Sequence, residues 1–122
     1  MSRADPEPDR ELERLKDICD GEPRRIDEGG REYVLLPGLR YLHGAEPRSD
    51  DALLSPKHPH PSYPTRLYFT QKIPPAPGCA SLNWHEEVYV DGRTWYTWSW
   101  KDVTPDQSLL NIVAAHLQAF RP

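Results

Sequence analysis

Residues 86–100 read EEVYVDGRTWYTWSW, and this stretch decides the fold because it specifies a hairpin. Asp91 and Gly92 form the Asp-Gly pair that supplies the two positive φ angles of a type I′ turn. The register that follows pairs Val90 with Arg93, Tyr89 with Thr94 and Val88 with Trp95. The stretch therefore predicts two antiparallel strands joined by a two-residue turn.

The second strand of this hairpin carries an unusual number of large aromatic side chains. Trp95 points to one face of the strand, whereas Tyr96, Trp98 and Trp100 share the other face. Such a tract forms either a core wall or a surface that binds a partner, since tryptophan is common in both. We expect Trp95 to be buried and at least one of Trp98 and Trp100 to be partly exposed or covered by a C-terminal helix. Tyr96, Trp98 and Trp100 are the candidate partner-binding residues.

Upstream of the hairpin, periodicity and turn residues predict a helix followed by strands and loops. The predicted elements are a disordered leader over residues 1–8, a helix over 10–20, a hairpin of 25–27 and 32–36 around Gly29-Gly30, an irregular extension over 39–43, a charged loop over 44–51, a strand over 52–54, a loop over 57–64, a strand over 66–73 and a proline-rich loop over 74–78.

A helix is predicted to close the chain. Thr104 is the predicted N-cap, Pro105 takes the first helical position, and Gln107 completes a capping box. The apolar positions that follow at helical spacing are Leu109, Leu110, Ile112, Val113, Leu117 and Phe120. Helices at both ends of an antiparallel sheet predict an α+β domain over residues 9–122.

Composition excludes several functional classes. The chain has 122 residues and a formal net charge of −4, and scattered basic residues argue against binding to nucleic acid. The sequence has no apolar run of 18 residues and no signal peptide, so we expect a cytoplasmic protein without a membrane partner. Cys19 and Cys79 are too few for a disulfide framework, which agrees with a reducing compartment.

Three short motifs resemble the ubiquitin-conjugating (UBC-like) proteins, and specifically the bacterial group called prokaryotic family E. They are Tyr63-Pro64 before the strand LYFTQKI at residues 67–73, VLLPGL at residues 34–39, and GRTWxxWS at residues 92–99. The resemblance covers residues 30–121. It implies a UBC-like fold with an N-terminal helix, a strand meander and a C-terminal helix packed on the sheet. It also implies a ubiquitin-like modifier and an activating-enzyme homologue as protein partners.

The chain departs from that family at its catalytic positions. Pro74-Pro75 stands where the family has His-Pro-Asn, and Trp95 stands where the catalytic cysteine would fall. Thioester chemistry would therefore depend on Cys79, with Asn83 or His85 in the oxyanion-stabilising role of the family's asparagine. The resemblance implies either a modifier transferase or an inactive binding subunit with the same fold.

Each candidate residue also has a plainer interpretation. Cys79 could be a loop cysteine without a role, or a small hydrophobe under the sheet. His58 and His60 form only a His-x-His pair, and a zinc site needs three or four ligands. We therefore predict no metal and no cofactor. A third class remains open, in which the chain is an interaction module, such as an immunity or antitoxin-like protein, without any link to ubiquitin chemistry.

Overall fold

The computed structural model describes residues 9–58, 62–100 and 103–121. In chain order the elements are α1 (Arg10–Lys16), β1 (Arg24–Glu28), β2 (Arg31–His43), β3 (Glu46–Ser55), β4 (Arg66–Phe69), β5 (Trp84–Val90), β6 (Arg93–Trp98), α2 (Leu109–Leu117) and a 3₁₀ helix (Gln118–Phe120). The strands form one sheet in the order β1-β2-β3-β4-β6-β5, with antiparallel neighbours throughout. The predicted α+β class is confirmed. The predicted leader at residues 1–8 lies outside the described residues.

The β5–β6 hairpin adopts the register that the sequence predicts. Val88 lies opposite Trp95, and the pairing continues to Val90 and Arg93 next to the turn. Asp91 and Gly92 have φ values of 54° and 77°. The Asp-Gly pair therefore provides the left-handed backbone that a tight turn between twisted strands needs.

Replacing Gly92 with alanine should lower the free energy of unfolding by about 1–2 kcal/mol, because a Cβ disfavours the left-handed backbone. No neighbouring atom lies within 4 Å of the position that this Cβ would take, so a clash would not contribute. Urea denaturation measures the loss. Gly92→Asn is the matched variant and should lose less, since asparagine tolerates this region. Equal losses for the two variants would contradict the backbone explanation.

The β2–β3 hairpin differs from the prediction. The charged segment 44–51 was expected to be a loop, yet Glu46–Ser55 is one continuous strand that pairs with β2. The prediction was wrong because exposed strand positions tolerate charge once the neighbouring backbone offers hydrogen bonds. β2 itself runs through Pro37 and Gly38, with a register shift between Leu36 and Leu39.

Three other element boundaries also differ. α1 ends at Lys16, and β4 ends at Phe69, so both are shorter than predicted. α2 begins after Ser108, whose hydroxyl accepts a hydrogen bond from the Asn111 N–H at 3.1 Å. The capping box predicted at Thr104 was wrong. The Gln107 side-chain amide instead donates to the Thr104 carbonyl at 3.0 Å, which closes a turn ahead of the helix.

The larger core lies between the helices and one face of the sheet. Its fully buried members include Leu15, Leu36, Leu39, Leu54, Leu67, Phe69, Ile112, Val113 and Phe120. Trp98 lies in this core, with its ring 5.5 Å from that of Phe120. The C-terminal helix therefore packs on the sheet, as predicted. No helix in the described part of the chain is long and apolar enough to cross a bilayer.

A second core lies on the opposite face of the sheet and takes no residue from either helix. Its buried members are Ile26, Tyr33, Leu53, Tyr68, Val90 and Trp95. The sheet curls around them, because the turn at Asp91 reaches β1. The Asp91 carboxylate lies 2.9 Å from the Arg24 guanidinium, and the Asp91 N–H donates to the Glu28 carboxylate at 3.0 Å. Trp95 is thus fully buried, as its position on the strand predicted.

Candidate functional site

Cys79 lies on the loop between β4 and β5, at a turn where its N–H donates to the Ala76 carbonyl at 3.0 Å. The thiol is free and partly exposed. Two side chains of the same loop, Ile73 and Ala76, are buried at 1% and 3% exposure. The loop is therefore held against the domain while the cysteine stays accessible.

The β2–β3 turn provides a second support for this loop. His43 Nε2 donates to the Pro74 carbonyl at 2.6 Å, since a carbonyl oxygen only accepts. Pro77 packs on Gly44, where an added Cβ would lie 3.3 Å from the proline ring. The Gly44 N–H in turn donates to the Phe120 carbonyl at 2.8 Å. The cysteine loop, the β2–β3 turn and the C-terminal 3₁₀ helix are therefore packed together.

The two cysteines occupy contrasting environments. Cys19 is buried, and desolvation raises the pKa of its thiol to about 11. A thiol with such a pKa is almost entirely protonated at neutral pH, and the thiolate is the reactive form. Cys79 is therefore the more accessible thiol for any covalent chemistry.

Neither candidate partner of Cys79 makes a hydrogen bond with it among the described residues. The Asn83 side-chain amide donates to Ser99 Oγ at 3.3 Å, and the Asn83 carbonyl accepts from the Ser99 N–H at 3.0 Å. The exposed His85 ring lies edge-on to Tyr63, with centroids 6.1 Å apart. The three residues predicted as a catalytic set therefore come from one loop and strand without forming a connected site.

The aromatic tract divides between core and surface. Trp98 is 2% exposed, so it does not present a binding surface, and its assignment to partner binding is corrected. Trp100 is half-buried, and its indole N–H donates to the Ala115 carbonyl at 2.9 Å. α2 therefore covers both rings. From the sequence we expected either this outcome or partial exposure of at least one ring. Tyr96 remains half-buried at the surface.

A groove of about 170 Å³ lies beside Tyr96. It is lined by Lys72, Trp84, His85, Glu86, Glu87 and Tyr96. Tyr96 is the one predicted partner-binding residue among them, and His85 is one of the predicted catalytic residues. Strand pairing explains part of the arrangement, because Glu87 lies directly opposite Tyr96.

Two neighbouring glutamates on β5 have different environments. Glu86 pairs with Arg66, a guanidinium that is buried to 6% exposure. Glu87 is exposed and takes part in no ion pair with any other described residue. Glu86 is therefore held in an ion pair that the sequence does not predict, because the sequence gives no sign that Arg66 is buried.

Two exposed apolar side chains were not identified from the sequence. Tyr89 is 69% exposed, and Leu42 is 47% exposed. Tyr89 could have been found by strand parity, since Val88 and Val90 alternate with it and point into the second core. Leu42 lines a larger groove of about 480 Å³ together with Tyr41, Pro47 and polar residues of β2 and β3. The groove was not predicted because part of its lining belongs to segment 44–51, which was expected to be a loop.

No group of three or more metal-binding side chains occurs among residues 9–58, 62–100 and 103–121. His60, one member of the predicted His-x-His pair, lies outside those ranges. We also compared the chain with known proteins. No family model, curated protein or solved structure matches it. The functional assignment therefore depends on the chain's own residues and motifs.

Proposed function

We propose that this protein is a bacterial UBC-like carrier in a ubiquitin-like modification system, in which Cys79 holds the modifier's C-terminal carbonyl as a thioester. The observation that carries the proposal is the position of Cys79, a free and partly exposed thiol on a loop with buried anchors. The three UBC-like motifs support it. The partners would be the modifier and an activating-enzyme homologue.

The loading step is a thiol exchange. The Cys79 sulfur would attack the thioester carbonyl of the modifier on the activating enzyme's cysteine. A new bond forms between that carbonyl and the Cys79 sulfur, the bond to the donor sulfur breaks, and the Cys79 proton ends on the released thiol. The step needs an accessible thiol and no cofactor.

Transfer to an amine makes a further demand. A hydrogen-bond donor beside the sulfur would have to stabilise the oxyanion as the amine attacks. Asn83 donates to Ser99 instead, and His85 does not contact the thiol. These contacts favour a carrier that passes the modifier to another protein without itself catalysing transfer to an amine. They also favour a second candidate function, in which the domain only binds the modifier or its activating enzyme.

Incubation with the candidate modifier, its activating enzyme and ATP should give an adduct on a non-reducing gel that thiols remove. Cys79→Ser should abolish the thiol-sensitive adduct. Cys19→Ala is the matched control and should still load, because Cys19 is buried. Complex formation without any adduct would leave only the binding role, and a thiol-sensitive adduct that persists in Cys79→Ser would refute the proposed site.

An interaction module without any link to ubiquitin chemistry is the alternative from another class. The exposed Tyr89 and Leu42 side chains favour it, since both provide apolar surface for a protein partner. The neighbouring genes separate the two classes. An activating-enzyme homologue next to this gene would support the carrier, whereas a toxin gene would support the interaction module.

A further inference from the structure

The groove beside Tyr96 already contains a cation from the chain itself. Lys72 Nζ lies over the Tyr96 ring, 5.8 Å from its centroid. An ammonium group over an aromatic face is attracted by the ring's quadrupole, and the attraction is weak enough at a surface to be exchanged. The groove therefore accommodates a lysine ammonium group.

The remaining lining of the groove suits the same group. Trp84 provides an apolar wall on which an aliphatic chain could lie, and it is held by its contact with Trp98 at 5.0 Å between ring centroids. Glu87 provides a carboxylate that is not paired with any described cation. The protein's net charge of −4 adds a general attraction for basic partners.

The groove is also open to an extended segment. β5 is the last strand of the sheet, so its outer backbone edge pairs with no other strand in the described part of the chain. His85, Glu87 and Tyr89 are exposed along this strand. A peptide could therefore lie along β5 and direct one side chain into the groove.

From these observations we propose that the groove binds a lysine side chain of a basic, extended segment from a partner protein, and that Lys72 occupies it when the partner is absent. Tyr96 and Glu87 would contact the incoming ammonium. Lys72 acts as an internal competitor, so removing it should strengthen binding. The proposal does not depend on thioester chemistry at Cys79.

NMR titration of the full chain with an acetylated, amidated tetralysine peptide tests the proposal. Backbone amide shifts should change in β5 and around Tyr96. Glu87→Gln and Tyr96→Leu should each weaken binding about threefold, as expected for loss of one surface charge or one cation–π contact. Lys72→Ala should strengthen binding by about the same factor.

Matched controls separate the groove from general effects. Tyr89→Leu removes a more exposed tyrosine of β5 that does not line the groove, and Lys57→Ala removes an exposed lysine that also lies outside the groove lining. Tyr89→Leu should change the affinity for tetralysine less than Tyr96→Leu does, and Lys57→Ala should change it less than Lys72→Ala does. Cys79→Ser should leave this affinity unchanged. Unchanged or weaker binding by Lys72→Ala, or equal binding of a tetraglutamate peptide, would overturn the proposal. Glu87 is exposed, so its variant still tests the site if Tyr96→Leu fails to fold.

Discussion

Trp98→Ala should lower the free energy of unfolding by about 3–5 kcal/mol, the usual cost of removing a buried tryptophan ring. The ring stacks on Phe69 with centroids 5.9 Å apart, and it also contacts Trp84 and Phe120. Its loss would open a cavity where the sheet meets α2. Because small domains are stable by only about 5–15 kcal/mol, the variant should be close to unfolding. Urea denaturation followed by circular dichroism measures the change.

Two matched variants identify the origin of this loss. Trp100→Ala removes a half-buried ring and one hydrogen bond to Ala115, so it should cost about 1–2 kcal/mol. Trp98→Phe keeps an aromatic ring and removes a buried indole N–H that has no hydrogen-bond partner among the described residues, so it should cost less than Trp98→Ala. A stable Trp98→Ala protein that had lost only partner binding would contradict the core assignment.

Acidification should destabilise the domain through His116, a buried residue of α2. Burial lowers the pKa of His116 to about 4, whereas its pKa in the unfolded chain is near 6.5. Protons therefore bind the unfolded state more readily between these values. The stability contributed by the neutral ring is complete above pH 6.5 and is lost as the pH falls toward 4. The difference between the two pKa values corresponds to a loss of about 3 kcal/mol in the free energy of unfolding once the pH is below both.

The surroundings of His116 explain why its neutral form is favoured. Thr65 Oγ1 donates to the Val103 carbonyl at 2.8 Å, and its oxygen lies 2.9 Å from His116 Nε2. Since the hydroxyl proton goes to Val103, the imidazole Nε2 donates to Thr65, which a neutral ring does with one nitrogen. The Trp98 ring lies edge-on to His116 at 6.1 Å and offers no compensating charge.

Urea denaturation at several pH values between 4 and 7 tests this prediction. His116→Gln can keep a donor toward Thr65 without titrating, so its stability should depend less on pH than that of the parent protein. His85→Gln is the matched control, because it makes the same replacement at an exposed histidine outside the core. The same pH dependence in the parent and in His116→Gln would show that other groups cause it.

Local signals predicted the β1–β2 and β5–β6 hairpins, and for β5–β6 they also predicted the register and the strand faces. Gly29-Gly30 and Asp91-Gly92 are two-residue turns, and each sets the register of its strands without help from distant residues. The strand predicted over 52–54 is the second half of Glu46–Ser55. The first half was missed because it is polar and its strand conformation depends on hydrogen bonds to β2. The N-cap at Ser108 was missed because Thr104-Pro105 has the stronger local capping signal.

In the candidate sites too, some features follow from local sequence and others from long-range contacts. Sequence identified Cys79 as the candidate nucleophile after the proline-rich loop, and left open whether it was exposed or packed under the sheet. The structure shows that it is partly exposed. It did not predict that Asn83 would bond to Ser99, since that contact depends on how the loop meets the end of β6. Tyr96 was identified with Trp98 and Trp100 because all three share a strand face. Only their positions relative to α2 separate them.

The sequence by itself determined the α+β class, the β5–β6 register and the opposite orientation of Trp95 and Trp98, because turn residues and strand alternation are local properties. The tertiary structure decided that both tryptophans are buried. α2 covers Trp98 on one face, and the curl of the sheet toward β1 encloses Trp95 on the other. That curl is closed by contacts of Asp91 with Arg24 and Glu28, more than 60 residues away in the chain. Such long-range contacts depend on the assembled sheet, and no local pattern encodes them.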